Sequence, residues 1–234
     1  MSPTVARVAS SSHTLAELER LGTAQNRKVY PRHGVKGPLF GVSYANLRKL
    51  AKRLGPDHRL AQELWSSGNH DARVLATMID DPALLPARIF RQRIRDVDSY
   101  VLADALASLV GRSSLRDKMA GEWTAEPEDE WAGAAGWSLV AAQALDTEAD
   151  LPDGYFSDRL AFIDEHIATA ANRVRHSMNG ALIAIGCRSR SLRQAAEQVA
   201  RRIGKVKVDH GQTSCKTPDA IPYLARAWAR KASR

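Results

Sequence analysis

Apolar residues recur at helical spacing along nearly the whole of this 234-residue chain, and the period-2 alternation of a half-buried strand is almost absent. His13 to Arg27 reads as one helix with Leu15, Leu18 and Leu21 three apart. Ser43 is placed to cap a helix that keeps Leu47, Leu50 and Leu54 on one face. Leu60 to Trp65 follows, then a turn over 66–69 and a helix from Asp71 to Ile79, stopped by Asp81-Pro82. Asp98-Ser99 is placed to cap the apolar run Tyr100 to Val110. Further helices are predicted at 115–124, 129–145, 156–170, 173–187, 191–203 and 217–231. The one alternation, Lys205-Val206-Lys207-Val208-Asp209, is short enough to be an extended loop.

The helices come in pairs. A helix ending near a large residue is followed by a short polar turn and an Ala-rich helix: Trp65 with 71–76, Trp123 with 130–139, Ile167 with 174–185. The spacing is uneven, so the repeat is degenerate, but helix pairs at about 40–47 residues are the signature of HEAT-type solenoids. The fold expected is therefore all-α, a superhelical stack of HEAT-like antiparallel helix pairs with a concave basic groove. An irregular helical bundle is the plainer alternative. The expected organisation is a flexible N-terminal segment, 1–12, before a single HEAT-like repeat domain, 13–234.

Charge is unevenly spread. Residues 1–60 carry 11 Lys/Arg against 3 Asp/Glu, residues 61–172 carry 9 against 20, and residues 173–234 carry 14 against 3. A chain that is basic at both ends and acidic between suits a polyanion if its fold gathers the ends on one side. No apolar run approaches the roughly 20 residues of a membrane helix, and residues 1–12 lack the apolar centre of a secretory signal. Two cysteines, Cys187 and Cys215, do not make a disulfide framework and suit a reducing, cytoplasmic setting. Cys215 with Asp209 and His210 matches no zinc spacing, so neither metal nor cofactor is expected.

Asp104 is the conspicuous polar residue of the apolar stretch 100–110, and Tyr100, four residues earlier, shares its helical face. A carboxylate there is either bonded to a neighbouring loop's N–H groups or faces a cleft. In a cleft, the carboxylate and the ring together suit a planar cation, such as a base alkylated on a ring nitrogen. Among basic residues with helical placement, Arg48, Lys49 and Lys52, then Arg73, then Arg173 and Arg175, are candidate phosphate contacts. Lys205, Lys207 and Lys216 flank a loop punctuated by Gly204, Gly211 and Pro218, which either cradles a phosphate or docks the last helix. Thr217-Pro218-Asp219 would open that helix. Trp137 is a candidate stacking surface; the other tryptophans read as helix packing.

The stretch Gly41 to Lys52, Leu64-Trp65 with Ala72 to Ala76, Asp98 to Asp104, and above all the tail Ile203 to Pro218 resemble the DNA alkylation repair family with HEAT-like repeats, the AlkD type. The resemblance covers roughly 15–228. It implies a DNA partner, duplex and in some cases alkylated, and a glycosylase in which Asp104 stabilises an oxocarbenium-like sugar. It puts Tyr100 where the family has a tryptophan, Ala181 at a second tryptophan position, and Ala134 and Ala184 at arginine positions. The sequence thus supports an enzyme excising cationic purines, a non-catalytic binder of duplex or branched DNA, or a scaffold for a protein partner; a bacterial member would associate with the nucleoid.

Overall fold

The computed structural model describes residues 10–148 and 150–232, and these form two compact units, one ending at Pro86 and one beginning at Ala87. The expected leading segment lies largely outside the described residues. Its last members do not: Ser10 caps the first helix through its side chain, and Ser11 and Ser12 are helical.

The first unit holds α1 (Ser11–Leu21), α2 (Ala24–Val29), α3 (Tyr44–Leu54), α4 (His58–Ser66) and α5 (His70–Ile79). The single helix expected over 13–27 is broken at Gly22-Thr23. Residues 40–41 cross the chain there, and the Thr23 N–H donates to the Gly41 carbonyl at 3.0 Å rather than continuing α1. Asp71 anchors that crossing segment. Its fully buried carboxylate accepts the N–H groups of Phe40, Gly41 and Val42 at 2.7, 2.9 and 3.0 Å, which satisfies a charge that would otherwise be costly to bury. Ser43 caps α3 as expected, accepting from the Asn46 N–H.

The second unit holds α6 (Ala87–Arg95), α7 (Tyr100–Gly111), α8 (Arg116–Thr124), α9 (Glu130–Leu145), α10 (Asp153–His166), α11 (Asn172–Gly186), α12 (Arg190–Ile203) and α13 (Ala220–Ala232). Short links join most of these helices, and every second helix packs on the next but one: α7 on α9, α9 on α11, α11 on α13 in one layer, α10 on α12 in the other. This is the all-α, HEAT-like arrangement the pattern predicts, with no strand among the described residues. The helix α6 went unread because four arginines in nine residues mask its apolar face, which buries Phe90 and Ile94. Ser99 stands at the start of α7 as expected, but its side chain makes no capping bond.

The core of this unit is the small-residue face of α9, Ala132-Gly133-Ala134-Ala135-Gly136. A Cβ at Gly136 would stand 2.8 Å from the Trp123 backbone, and one at Gly133 would stand 2.7 Å from Val174. The absence of side chains at these two points lets α8 and α11 close on α9. No helix of the described residues is long and apolar enough to cross a membrane.

We expect Gly136→Ala to destabilise the protein by about 1–3 kcal/mol, because backbone atoms cannot yield to the added methyl. Gly180→Ala, on the open face of α11 with nothing within 4 Å, is expected to stabilise by about 0.5–1 kcal/mol. Thermal unfolding of the two variants checks this; equal shifts would refute the close-approach argument.

Candidate functional site

The sixteen residues between α12 and α13 form the longest link of the second unit, and polar side chains of α11 hold it. The Asn172 amide donates to the Asp209 carbonyl at 2.7 Å and accepts from the Asp209 N–H at 2.8 Å. Asn179, almost fully buried, donates to the Pro218 carbonyl at 2.9 Å. Thr217 Oγ1 lies 3.0 Å from His176 Nδ1 and 2.9 Å from His210 Nε2. These contacts explain why the last helix starts at Ala220 rather than at Thr217: Thr217 and Pro218 are engaged by α11, and Asp219 caps the helix through the Ile221 N–H.

The loop is thus firmly docked, yet it also walls a cavity of about 280 Å³ shared by α7, α9 and α11. Tyr100 and Asp104 line it from α7, Ala134 from α9, Arg173 and His176 from α11, and His210, Cys215 and Lys216 from the loop. The start of α11 has no cap of its own. Glu130, the first residue of α9, accepts the Arg173 N–H at 3.0 Å, a contact across 43 residues that fixes Arg173.

Arg173 organises the cavity. Its guanidinium lies 4.4 Å from the centre of the Tyr100 ring, so one face of the ring expected to receive a cation already carries one. It also lies 3.4 Å from His210 Nδ1. An arginine only donates, so His210 accepts at Nδ1 and carries its proton on Nε2; Thr217 accepts that proton and turns its own hydroxyl to His176 Nδ1. The result is a directed chain from Arg173 through His210 and Thr217 to His176, which requires both imidazoles to be neutral. Burial holds His176 below its ordinary pKa, aided by His210 and Arg173. Burial and then Arg173 hold His210 down against the opposing pull of Asp209.

Asp104 opens to solvent along the cavity but is hemmed in by protein on its other sides. That crowding pushes its carboxyl up, against the lowering pull of the Ser138 hydroxyl, which donates at 3.2 Å, and of Arg173. Burial also raises the Tyr100 pKa, and the neighbouring Cys215 adds to that rise against the lowering pull of Arg173.

Of the residues expected from sequence, Tyr100, Asp104, Arg173 and Lys216 therefore meet in one cavity. Arg175, Lys205 and Lys207 meet in another, of about 350 Å³, beside α10 and α12. Arg48, Lys49, Lys52 and Arg73 belong to the first unit. Arg48 stacks on Tyr44, Lys49 and Lys52 are exposed, and Arg73 lies over Trp65 and donates to its carbonyl. Trp137 requires a correction. It is fully buried, 5.7 Å from the Phe162 ring, and has no face to offer a base. Ala181 is fully buried and Ala184 nearly so, and neither borders the cavity, unlike Ala134. Sequence reasoning missed Ser138, His176 and Glu130; only contacts across more than 30 residues give them their roles.

The DNA alkylation repair enzyme family matches residues 14–224. Uncharacterized proteins of Listeria innocua and Listeria monocytogenes are each 30% identical over 217 residues, covering 90% of this chain and 94% of the relative. A solved structure described as "a new family of proteins related to the HEAT-like repeat DNA glycosylases with affinity for branched DNA structures" superposes with a TM-score of 0.86 at 25% identity, covering 95% of both chains.

Because folding raises the Asp104 pKa, the ionised carboxylate costs stability at pH values above its unfolded value. Asp104→Asn is therefore expected to raise the thermal midpoint at pH 7.5, with the gain vanishing as the pH falls to 4; a lower midpoint at neutral pH would contradict this. For the histidines the sign is opposite. Their docked pKa values are depressed, so the released loop binds protons more tightly, and docking weakens as pH falls below about 6.5. Hydrogen exchange of residues 204–219, corrected for intrinsic rates, should rise several-fold between pH 7.5 and pH 5. Unchanged protection would show that docking does not need neutral imidazoles.

Proposed function

This chain belongs to the DNA alkylation repair enzyme family, and from that premise we propose that it is a DNA-binding repair protein whose second unit grips the phosphodiester backbone. The observation that carries the reading is the composition of the Asp104 cavity. Arg173 and Lys216 outnumber its single carboxylate, and two histidines held neutral supply hydrogen-bonding groups around them. Such a cavity favours an anion over a cationic base. The cavity's aromatic ring is engaged by Arg173 on one face, and the position that the family resemblance assigns to a second tryptophan is a buried alanine. Recognition therefore rests on backbone and shape. The affinity for branched DNA ascribed to the structural relative supports a branched or distorted duplex as the target.

A second reading, excision of a cationic alkylpurine, is favoured by one observation. The Asp104 carboxylate faces the cavity, oriented by Ser138, where it would stabilise the positive charge that develops on a sugar as its glycosidic bond breaks.

Binding to duplex and four-way-junction DNA across a salt series tests the first reading. Wild type should bind with a steep salt dependence, and Arg173→Ala with Lys216→Ala should weaken binding at least tenfold and flatten the slope of log K against log salt by about 2, since each lost phosphate contact removes roughly 0.9. A protein that binds neither DNA would overturn it. Incubation with methylated duplex decides the second: release of free base that falls tenfold or more in Asp104→Asn establishes excision, and release at the spontaneous rate removes it.

A further inference from the structure

The first turn of α11 carries two arginines, Arg173 and Arg175. Residues two positions apart on a helix differ by about 200° around its axis, so these side chains leave on nearly opposite sides. The cavities they enter agree. Arg173 lines the one with Asp104 and Tyr100, and Arg175 lines the second, between the ends of α10 and α12. The α12–α13 loop serves both cavities in turn, its first part giving Lys205, Val206 and Lys207 to the second and its later part giving His210, Cys215 and Lys216 to the first.

The second cavity has the chemistry of a phosphate site. Four cationic side chains line it, Arg175, Arg202, Lys205 and Lys207, against one carboxylate, Asp164. Arg202 neutralises that carboxylate, with its Nε donating to Asp164 at 2.8 Å and its terminal nitrogen at 2.6 Å. Among the described residues, no carboxylate pairs with Arg175, Lys205 or Lys207. The Nε of Arg175 is buried without a hydrogen-bond partner among the described residues. A buried guanidinium donor left unmet costs free energy, which a bound anion would recover. Exposed lysines on either side add long-range attraction and leave room for an oxyanion to enter.

We propose that this second cavity holds a backbone phosphate of a second DNA arm, while the Asp104 cavity engages the first. The inference rests on the DNA-binding reading above and specifies its target. Arg173 and Arg175 leave α11 on opposite sides, so one straight duplex lying along one side of α11 does not supply phosphates to both. At a branch point, two arms diverge and pass on either side, with α11 and its docked loop between them. The second cavity therefore contributes to preference for branched over linear DNA, not to affinity for DNA in general.

The test compares wild type, Arg175→Glu and the double variant Lys205→Glu with Lys207→Glu on a four-way junction and on linear duplexes built from the same strands, at one fixed salt concentration. Inorganic phosphate alone, titrated against wild type and Arg175→Glu, serves as a competitor. The expected result is junction affinity lowered at least tenfold in both variants, duplex affinity changed less than threefold, and phosphate competing for the junction in wild type at millimolar concentration. Equal weakening on both DNAs would place these residues on the track of a single duplex and overturn the proposal; unchanged affinity on both would overturn it too. Phosphate that binds in wild type but leaves junction preference intact in Arg175→Glu would assign the cavity to a small phosphate compound instead. Arg175→Gln and the paired Lys→Gln variants remove the charge without reversing it, so a misfolded Glu variant leaves the question answerable. If wild type binds no DNA at all, the broader DNA-binding reading fails, an outcome distinct from the loss of junction preference alone.

Discussion

The second unit depends on how closely α9 is approached by its neighbours. Two glycines, Gly133 and Gly136, remove the atoms that would hold α11 and α8 away. With α11 drawn in, Glu130 reaches the start of that helix and caps it, and Arg173 is fixed over Tyr100. On its α7 side, α9 brings Ser138 to Asp104. A cavity with charged walls thus follows from a stripe of small residues that carries no charge. Close packing makes such a stripe intolerant of even one methylene.

Onto this layer the chain adds its longest link in this unit, the sixteen residues before α13. Long links without secondary structure are uncommon in compact units and tend to carry function. Here the loop is both strut and wall. Its backbone is tied to Asn172 and Asn179, which leaves Lys205, Lys207 and Lys216 exposed at the rims of two cavities. The relay from Arg173 to His176 couples the loop's position to the protonation of two imidazoles. Neutral histidines there leave Arg173 and Lys216 as the cavity's positive charge, so that charge does not come from a group that titrates near neutrality, although the loop that walls the cavity is held by two that do.

Electrostatics also separates the two roles weighed for Asp104. An isolated carboxylate beside an aromatic ring would suit a cationic base. Arg173 changes that balance, because it covers one face of the ring and places a positive charge near the carboxylate. Crowding raises the Asp104 pKa and Arg173 lowers it, and crowding is the larger effect. The residue is therefore held at a cost in stability, a cost commonly associated with functional sites.

The sequence by itself determined the helical class, most helix positions and the chemistry of the tail. Apolar spacing and capping residues such as Ser43 act over one or two turns and are legible locally. It also singled out Tyr100, Asp104, Arg173, Arg175 and the loop lysines, because charge in an apolar or basic run is visible without a fold. Tertiary structure alone decided which of these meet: Arg173 with Asp104 in one cavity, Arg175 with Lys205 and Lys207 in another. It buried Trp137, broke the first helix where residues 40–41 cross it, and gave Ser138, Glu130 and His176 their partners. The physical reason is range. Helix propensity is settled among neighbours, whereas burial, capping between helices and the pairing of charges depend on residues far apart in the chain that only packing brings together.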